Sequence, residues 1–208
     1  MVRRRLSNRP EAVTRIVVRA VLVAVAACAA AGCVAAQPQP RPWAVDPDLG
    51  AIDGVVASPA TAQLAGAFLR SQDPSAGPAA PPVRRTDVPV VVFATDPRFA
   101  TAAGAPMSAA GVPAYLAVPV RVGHRNGSDT LQLAPDAPYT PRAVATGTEE
   151  AEVARSLTPD SRLLLDYPSH TWFRWTETRV TALRSGTDTT LAGRDFDAEQ
   201  FERWLRTR

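Results

Sequence analysis

Candidate residues for acid–base chemistry near neutral pH are few, because the 208 residues of this chain include only two histidines, His124 and His170. His170 closes the segment Asp166-Tyr167-Pro168-Ser169-His170, which places a carboxylate, a hydroxyl and an imidazole within five residues. A serine hydrolase needs these three groups to converge in space. Adjacent Ser169 and His170 in a tight turn usually point apart, and no G-x-S-x-G motif accompanies them. A hydrolase that uses Ser169, His170 and Asp166 is therefore an alternative, and a non-enzymatic protein is the leading hypothesis.

The densest aromatic patch is Thr171-Trp172-Phe173-Arg174-Trp175. Alternation along a strand would place Trp172 and Arg174 on one face, and Phe173 and Trp175 on the other. We expect one face to enter the core. The other would present Trp172 with Arg174 as a patch for a ligand or partner, since exposed Trp and Arg are typical interface anchors. Packing of that face against a covering helix is the competing and more common interpretation.

The sequence contains no recognisable metal or cofactor motif. Zinc requires three or four N, S or O ligands at characteristic spacing, which two isolated histidines do not supply. The nearest approach to a calcium-type oxygen cluster is formed by Asp188, Asp195 and Asp197, and turn and helix-cap roles explain these aspartates more simply. We predict no metal and no cofactor.

An arginine-rich start leads into the apolar run Ala20–Ala31, which ends in the tetrad Ala30-Ala31-Gly32-Cys33. Residues 1–19 contain six arginines and one acidic residue. A basic segment, a short apolar segment and small residues before a cleavage site describe an export signal. The run is shorter than the roughly 20 residues that a membrane-spanning helix needs. Its continuation through Ala36 leaves an uncleaved anchor as an alternative.

The tetrad resembles the lipobox of bacterial lipoproteins, with Ala30 where that family favours Leu. The resemblance covers the leader only. It implies that residues 1–32 are removed, that Cys33 is acylated, with palmitate or a similar chain, and that the protein is anchored at the extracytoplasmic face of the cell membrane. The stretch Arg3-Arg4-Arg5-Leu6 leaves both the general and the twin-arginine export routes open.

Removal of the leader reverses the sign of the net charge. The full chain has a net charge of +3 and a pI near 9.4, and its 23 basic residues are all arginines. The leader carries six of these arginines and one of the 20 acidic residues, so 17 arginines and 19 acids remain from Cys33 onward. A mildly acidic protein exerts no long-range attraction on nucleic-acid phosphates, so we exclude nucleic acid as a partner. With Cys28 removed and Cys33 acylated, no disulfide can form.

These observations predict an envelope lipoprotein with a binding or accessory role. Its partners would be the membrane, through the N-terminal lipid anchor, and an envelope protein or cell-wall component. The alternative is an exported hydrolase of cell-wall or ester substrates near Ser169 and His170.

Beyond the leader, we expect residues 33–56 to form a proline-rich tether and an irregular lead-in, followed by one α+β domain over residues 57–208. Ser58-Pro59 is a plausible start for a helix that continues to Ser71. A flexible proline-rich loop is expected over residues 72–87.

The remaining elements follow from apolar periodicity and turn residues. The clearest is a hairpin, in which Tyr115–Val122 and Ser128–Leu133 flank the turn pair Asn126-Gly127. Other strands are expected at 88–93, 143–145, 162–167 and 171–183, and helices at 148–157 and from Asp195 or Asp197 to Arg206. The prediction is a mostly antiparallel sheet with two or three helices, one of them C-terminal.

Overall fold

The computed structural model describes residues 47–77 and 80–208. The predicted leader, Cys33 and the proline-rich segment after it lie outside these ranges. The helices within them are α1 (Leu49–Val56), α2 (Pro59–Gln72), α3 (Glu149–Ala154) and α4 (Ala198–Thr207). The strands are β1 (Val83–Arg85), β2 (Val90–Thr95), β3 (Gly111–Val122), β4 (Asp129–Leu133), β5 (Pro141–Thr146), β6 (Arg162–Asp166), β7 (Thr171–Trp175), β8 (Val180–Ser185) and β9 (Asp195–Phe196).

All nine of these strands belong to one sheet with the order β5-β4-β3-β2-β6-β7-β8-β9, and β1 pairs with the far end of β3. The β2–β6 pair is parallel, whereas the other neighbouring strands are antiparallel. The predicted α+β class, with a mostly antiparallel sheet and a C-terminal helix, is confirmed.

The predicted hairpin is formed by β3 and β4. Leu116 lies opposite Leu133 and Val118 lies opposite Leu131, and these four side chains are fully buried. Gly127 in the connecting turn has a φ of 115°, a conformation that a residue with a side chain rarely adopts. Local apolar alternation and turn chemistry were therefore sufficient to predict this unit.

Different helices cover the two faces of the sheet. On one face α1 and α2 pack over β3 and β4, and α4 packs over β6, β7 and β8. The core on this face includes Ile52, Leu116, Leu131, Phe173 and Phe201. On the opposite face lies the short helix α3, whose Val153 packs with Val92, Leu165 and Trp172.

Helix α4 begins at Asp197, one of the two predicted caps. The Asp197 carboxylate accepts a hydrogen bond from the Gln200 backbone N–H at 2.8 Å, and the Asp197 N–H donates to Gln200 Oε1 at 3.1 Å. This reciprocal capping box satisfies two backbone groups that a helix start otherwise leaves unpaired. Phe201 and Leu205 on its buried stripe then enter the aromatic core.

The predicted irregular lead-in contains a helix, which corrects that part of the prediction. Asp48 caps α1 by accepting from the N–H groups of Gly50 and Ala51, and Ile52 and Val56 are its buried residues. Two glycines and a length of eight residues give little helical signal in the sequence. The helix forms because the sheet offers an apolar surface for Ile52 and Val56.

Two further predictions need correction. The expected flexible loop over residues 72–87 ends in strand β1, which is held by pairing with β3. The expected single strand over residues 171–183 is two strands, because the chain reverses between Thr176 and Arg179. The Thr176 N–H donates to the Arg179 carbonyl at 2.8 Å, and the Arg179 N–H donates to Thr176 Oγ1 at 3.1 Å. No helix within the described ranges is long and apolar enough to cross a bilayer.

Candidate ligand-binding groove

Asp166 organises the turn that was the sequence candidate for catalysis. Its Oδ2 atom accepts a hydrogen bond from the Ser169 N–H at 3.1 Å and another from Ser169 Oγ at 2.6 Å. Aspartate at this position of a turn commonly bonds the backbone a few residues ahead, which closes the β6–β7 connection. Asp166 and Ser169 thus interact directly, with no imidazole between them.

Three further contacts assign Asp166 a structural role. Thr95 Oγ1 donates to its Oδ1 at 2.9 Å, and the Arg208 guanidinium contacts both carboxylate oxygens at 2.7 Å. Burial alone would raise the pKa of Asp166, but the hydrogen bonds from Arg208, Ser169 and Thr95, together with the Arg208 charge, lower it below 3.8. The carboxylate therefore ties β2, β6 and the end of α4 together as an anion.

His170 points away from this carboxylate. Its backbone has a φ of 46°, and its exposed imidazole Nε2 lies 3.6 Å from Glu149 Oε2. The hydroxyl of Ser169 bonds Asp166 and Thr171 instead, and the structure shows no hydrogen bond between Ser169 and His170. The three residues of the alternative hydrolase interpretation are neighbours, but they do not form the hydroxyl–imidazole–carboxylate chain that a hydrolase needs.

The interpretation of Trp172 and Arg174 as an exposed patch is wrong for Trp172. Both side chains do lie on the same face of β7, but Trp172 is 2% exposed and packs with Val153 of α3 and with Leu165. Arg174 is half-buried, and its Nη2 donates to Thr181 Oγ1 at 3.3 Å. Strand alternation assigns a residue to a face, whereas only the position of α3 decides that this face is covered.

The three aspartates considered for calcium have local partners. Asp188 accepts from the N–H and hydroxyl of Thr190, Asp195 accepts from Thr181 at 2.5 Å, and Asp197 caps α4. Within residues 47–77 and 80–208, no three His, Cys, Asp or Glu side chains are arranged to hold a metal ion.

A second buried carboxylate, Glu150, fixes α3 to the sheet. The Tyr115 hydroxyl donates to Glu150 Oε1 at 2.9 Å, and Thr130 Oγ1 lies 3.3 Å from Oε2. Burial, and then the Glu150 charge, raise the pKa of Tyr115 far above its usual value. Tyr115 therefore stays a protonated hydrogen-bond donor, and this pair also has a structural role.

A strongly charged concavity, a groove of about 810 Å³, lies at the β1–β3 end of the sheet. We call it the arginine groove. It is lined by ten residues: Pro82, Arg84, Arg85, Thr86, Arg121, Gly123, His124, Arg125, Asn126 and Gly127. The lining contains four arginines and a histidine but no carboxylate, although the chain from Cys33 onward is net acidic. Local folding thus concentrates positive charge that the overall composition does not indicate.

Two of these arginines already have partners on the helix-covered side. Arg85 Nε contacts Asp53 of α1 at 2.7 Å, and Arg125 Nε contacts the buried Asp129 carboxylate at 3.2 Å. The Arg125 guanidinium also lies over the Phe68 ring of α2, 5.2 Å from its centre. These contacts fix the walls of the groove and neutralise their charge.

Arg84 and Arg121 differ from them in both position and partners. They are paired directly across β1 and β3, so their side chains project from the same face, opposite to the face of Arg85. Both are exposed, and within the described residues neither forms an ion pair. Like charges directly opposite each other in a sheet are unfavourable. This cross-strand pair is therefore the feature of the groove that a bound anion would stabilise.

A second cavity, of about 360 Å³, lies between the start of β2 and α3. Its apolar lining includes Val90 and Leu163, and Val88 at its edge is 66% exposed. Asp87 and Arg155 add charges of both signs. This lining selects no particular class of ligand, so the arginine groove is the better candidate site.

Sequence reasoning missed the arginine groove for a specific reason. Arg84 was assigned to a flexible loop, and Arg121 was one polar position in a predicted strand. The sequence does contain a signal for the groove: Arg121 and Arg125 flank the hairpin turn, and a second pair of arginines, Arg84-Arg85, precedes strand β2. The pairing of β1 with β3, which makes them neighbours, is nonlocal.

Comparisons of the chain with family models, with curated proteins and with solved structures found no match.

Proposed function

We propose that this protein is an exported, lipid-anchored lipoprotein of the bacterial envelope, and that its domain has a non-enzymatic binding role. The lipobox-like tetrad ending in Cys33, after a basic and apolar leader, supports the anchor. The binding role rests on one observation: the cross-strand pair Arg84 and Arg121 lies in a concave groove and has no ion-pair partner among residues 47–77 and 80–208. The direct Ser169–Asp166 hydrogen bond favours binding over hydrolysis.

The anchor is tested by substitution of the two cysteines in the producing bacterium. We expect Cys33→Ser to abolish incorporation of labelled palmitate and to leave the leader uncleaved, because the thiol is the acylated group. Cys28→Ser is the matched control, since Cys28 lies within the apolar run, and it should be processed normally. Globomycin, which blocks lipoprotein signal cleavage after the thiol is acylated, should also leave the leader uncleaved but should preserve the palmitate label. Unchanged labelling and processing of the Cys33→Ser chain would contradict the anchor.

The binding role is tested by photo-crosslinking in living cells. A photoreactive residue at Thr86, which lines the groove, is compared with one at the exposed Glu177 in the β7–β8 turn. We expect adducts from position 86 that disappear when Arg84→Gln and Arg121→Gln are introduced. Absence of position-specific adducts, or adducts that survive both substitutions, would rule out binding at this groove.

A further inference from the structure

The chemistry of the arginine groove narrows the ligand class, an inference that rests on the proposed binding function. We propose that Arg84 and Arg121 together bind a phosphate group, carried by a phosphodiester or by a soluble phosphate compound. The argument depends on acceptor geometry, on local charge and on the dimensions of the groove.

Acceptor geometry separates phosphate from carboxylate. Elsewhere in this domain a single guanidinium engages both oxygens of one carboxylate: Arg85 does so with Asp53, and Arg208 does so with Asp166. One guanidinium thus occupies both oxygens of a carboxylate, which keeps capacity only for a few further donors, such as Ser169 and Thr95 at Asp166. Two guanidinium groups that project from directly opposed strand positions offer more donors than a carboxylate can accept. A phosphate group has four oxygens in a tetrahedral arrangement, three of them strong acceptors in a monoester and two in a diester, so two guanidinium groups can approach it from different sides.

The charge balance of the groove also favours an anion from outside. Asp53 and Asp129 neutralise Arg85 and Arg125, which leaves the charges of Arg84 and Arg121 without a carboxylate in the described residues. A phosphate group with one or two negative charges compensates most of this excess and removes the repulsion between the two guanidinium groups.

The dimensions of the groove favour a phosphate that is part of a larger molecule. A volume of about 810 Å³ is within the roughly 300–1,000 Å³ range of small-molecule sites, and it exceeds what one inorganic phosphate fills. The hairpin residues His124 and Asn126 line the same groove and supply polar side chains beyond the two arginines. A phosphate with an attached polar group, such as a glycerol phosphodiester, fits this lining.

The test is calorimetric titration of the full chain, purified in non-ionic detergent micelles, with three probes at low salt. Glycerophosphoglycerol represents a phosphodiester headgroup or polymer unit, and inorganic tripolyphosphate represents a free phosphate compound. Tricarballylate is a polycarboxylate control for the high negative charge of tripolyphosphate. We expect one of the phosphate probes to bind, and tricarballylate to bind at least about tenfold more weakly, because the donors match phosphate oxygens. The phosphate probe that binds more tightly identifies the source.

Two double variants with equal loss of charge provide the decisive comparison. Arg84→Gln with Arg121→Gln should weaken phosphate binding by at least about tenfold, since both guanidinium donors are lost. Arg179→Gln with Arg203→Gln removes two positive charges from exposed sites outside the groove and should change binding by less than about twofold. Neither double variant disrupts the Arg85–Asp53 or Arg125–Asp129 pair, so both should fold.

Three results would overturn the proposal: no heat from either phosphate probe, equal binding of tricarballylate, or equal weakening by the two double variants. Failure of this proposal differs from failure of the proposed function. Groove-dependent crosslinking in cells without phosphate binding in micelles would leave the binding role intact and refute only the ligand class.

Discussion

The Asp166 turn and the arginine groove are two polar regions of this domain that are organised in opposite ways. At the turn, one buried carboxylate receives hydrogen bonds from Ser169, Thr95 and Arg208. In the groove, Arg84 and Arg121 are exposed cross-strand neighbours on one face of the sheet, and no carboxylate of the described residues forms an ion pair with them. The turn has internal partners for its charge, whereas Arg84 and Arg121 form no ion pair with any of the described residues.

This difference separates structural polar groups from binding candidates. A polar group that is fully satisfied within the fold stabilises it and has little capacity left for a ligand. Groups whose charge the fold leaves uncompensated add nothing to stability, and their charge is available to a partner. The same residue type, arginine, serves both purposes here, as Arg208 at the turn and Arg121 in the groove.

The largest expected effect on stability follows from the loss of the Asp166 carboxylate at the turn. Asp166→Ala removes the counter-ion of Arg208 and the acceptor of Ser169 and Thr95. We expect the free energy of unfolding to fall by about 3 kcal/mol, since breaking a buried ion pair leaves its partners unsatisfied. Urea denaturation followed by circular dichroism measures this change. The control is Asp53→Ala at an exposed pair, which should cost clearly less; similar losses for the two variants would contradict the comparison.

The same carboxylate predicts a dependence of stability on pH. The pKa of Asp166 is lowered from 3.8 on folding, so its contribution is complete above about pH 5 and is lost as the pH falls through 3.8 and then through the lower folded-state value. The difference in unfolding free energy between wild type and Asp166→Ala should therefore shrink as the pH is lowered from 6 to 3. A difference that is constant over this range would show that the carboxylate is not stabilised as an anion.

A smaller effect is expected at Ser169, the residue that sequence reasoning associated with catalysis. Ser169→Ala removes one hydrogen bond to Asp166 but keeps the backbone bond, so stability should fall by about 1 kcal/mol. His170→Ala at the exposed neighbour is the control and should have less effect. Urea denaturation again measures both. A Ser169→Ala chain as stable as the wild type would show that the hydroxyl is not used structurally.

The smallest effect on stability is expected in the groove. Arg84→Gln with Arg121→Gln should leave the unfolding free energy within about 0.5 kcal/mol of wild type, because exposed positions without partners contribute little. At low salt the double variant should be slightly more stable than wild type, since a like-charge pair is removed. This gain in unfolding free energy should vanish at high salt. A marked loss of stability would mean that these arginines hold the fold together and would break the comparison.

Local features of the fold were predictable. The β3–β4 hairpin, the helix that starts at Ser58-Pro59 and the cap at Asp197 depend on residues a few positions apart, and the structure confirms all three. The predictions of secondary structure were wrong where an element distant in sequence determines the local conformation. Helix α1 has weak intrinsic signals and forms against the sheet, and β1 exists because the end of β3 is available for pairing.

The candidate site was less predictable than the fold, for the same reason. Trp172 and Arg174 were correctly placed on one face of a strand, but α3 covers Trp172. Ser169, His170 and Asp166 are neighbours in sequence, but the backbone conformation of His170 directs its imidazole towards Glu149. Sequence proximity of chemically suitable groups does not establish that they converge.

The sequence by itself determined the β3–β4 hairpin, the helix that starts at Ser58-Pro59, the α+β class and the charge of each segment, because these depend on side-chain type, short-range periodicity and turn chemistry. It also carries the lipobox-like tetrad on which the proposed anchor rests. Only the tertiary structure decided which charges are compensated. Arg208 reaches Asp166 across 42 positions, and the strand pairing places Arg84 opposite Arg121, 37 positions away. Electrostatic compensation acts through distances in space, and the chain path that sets those distances is a property of the whole fold.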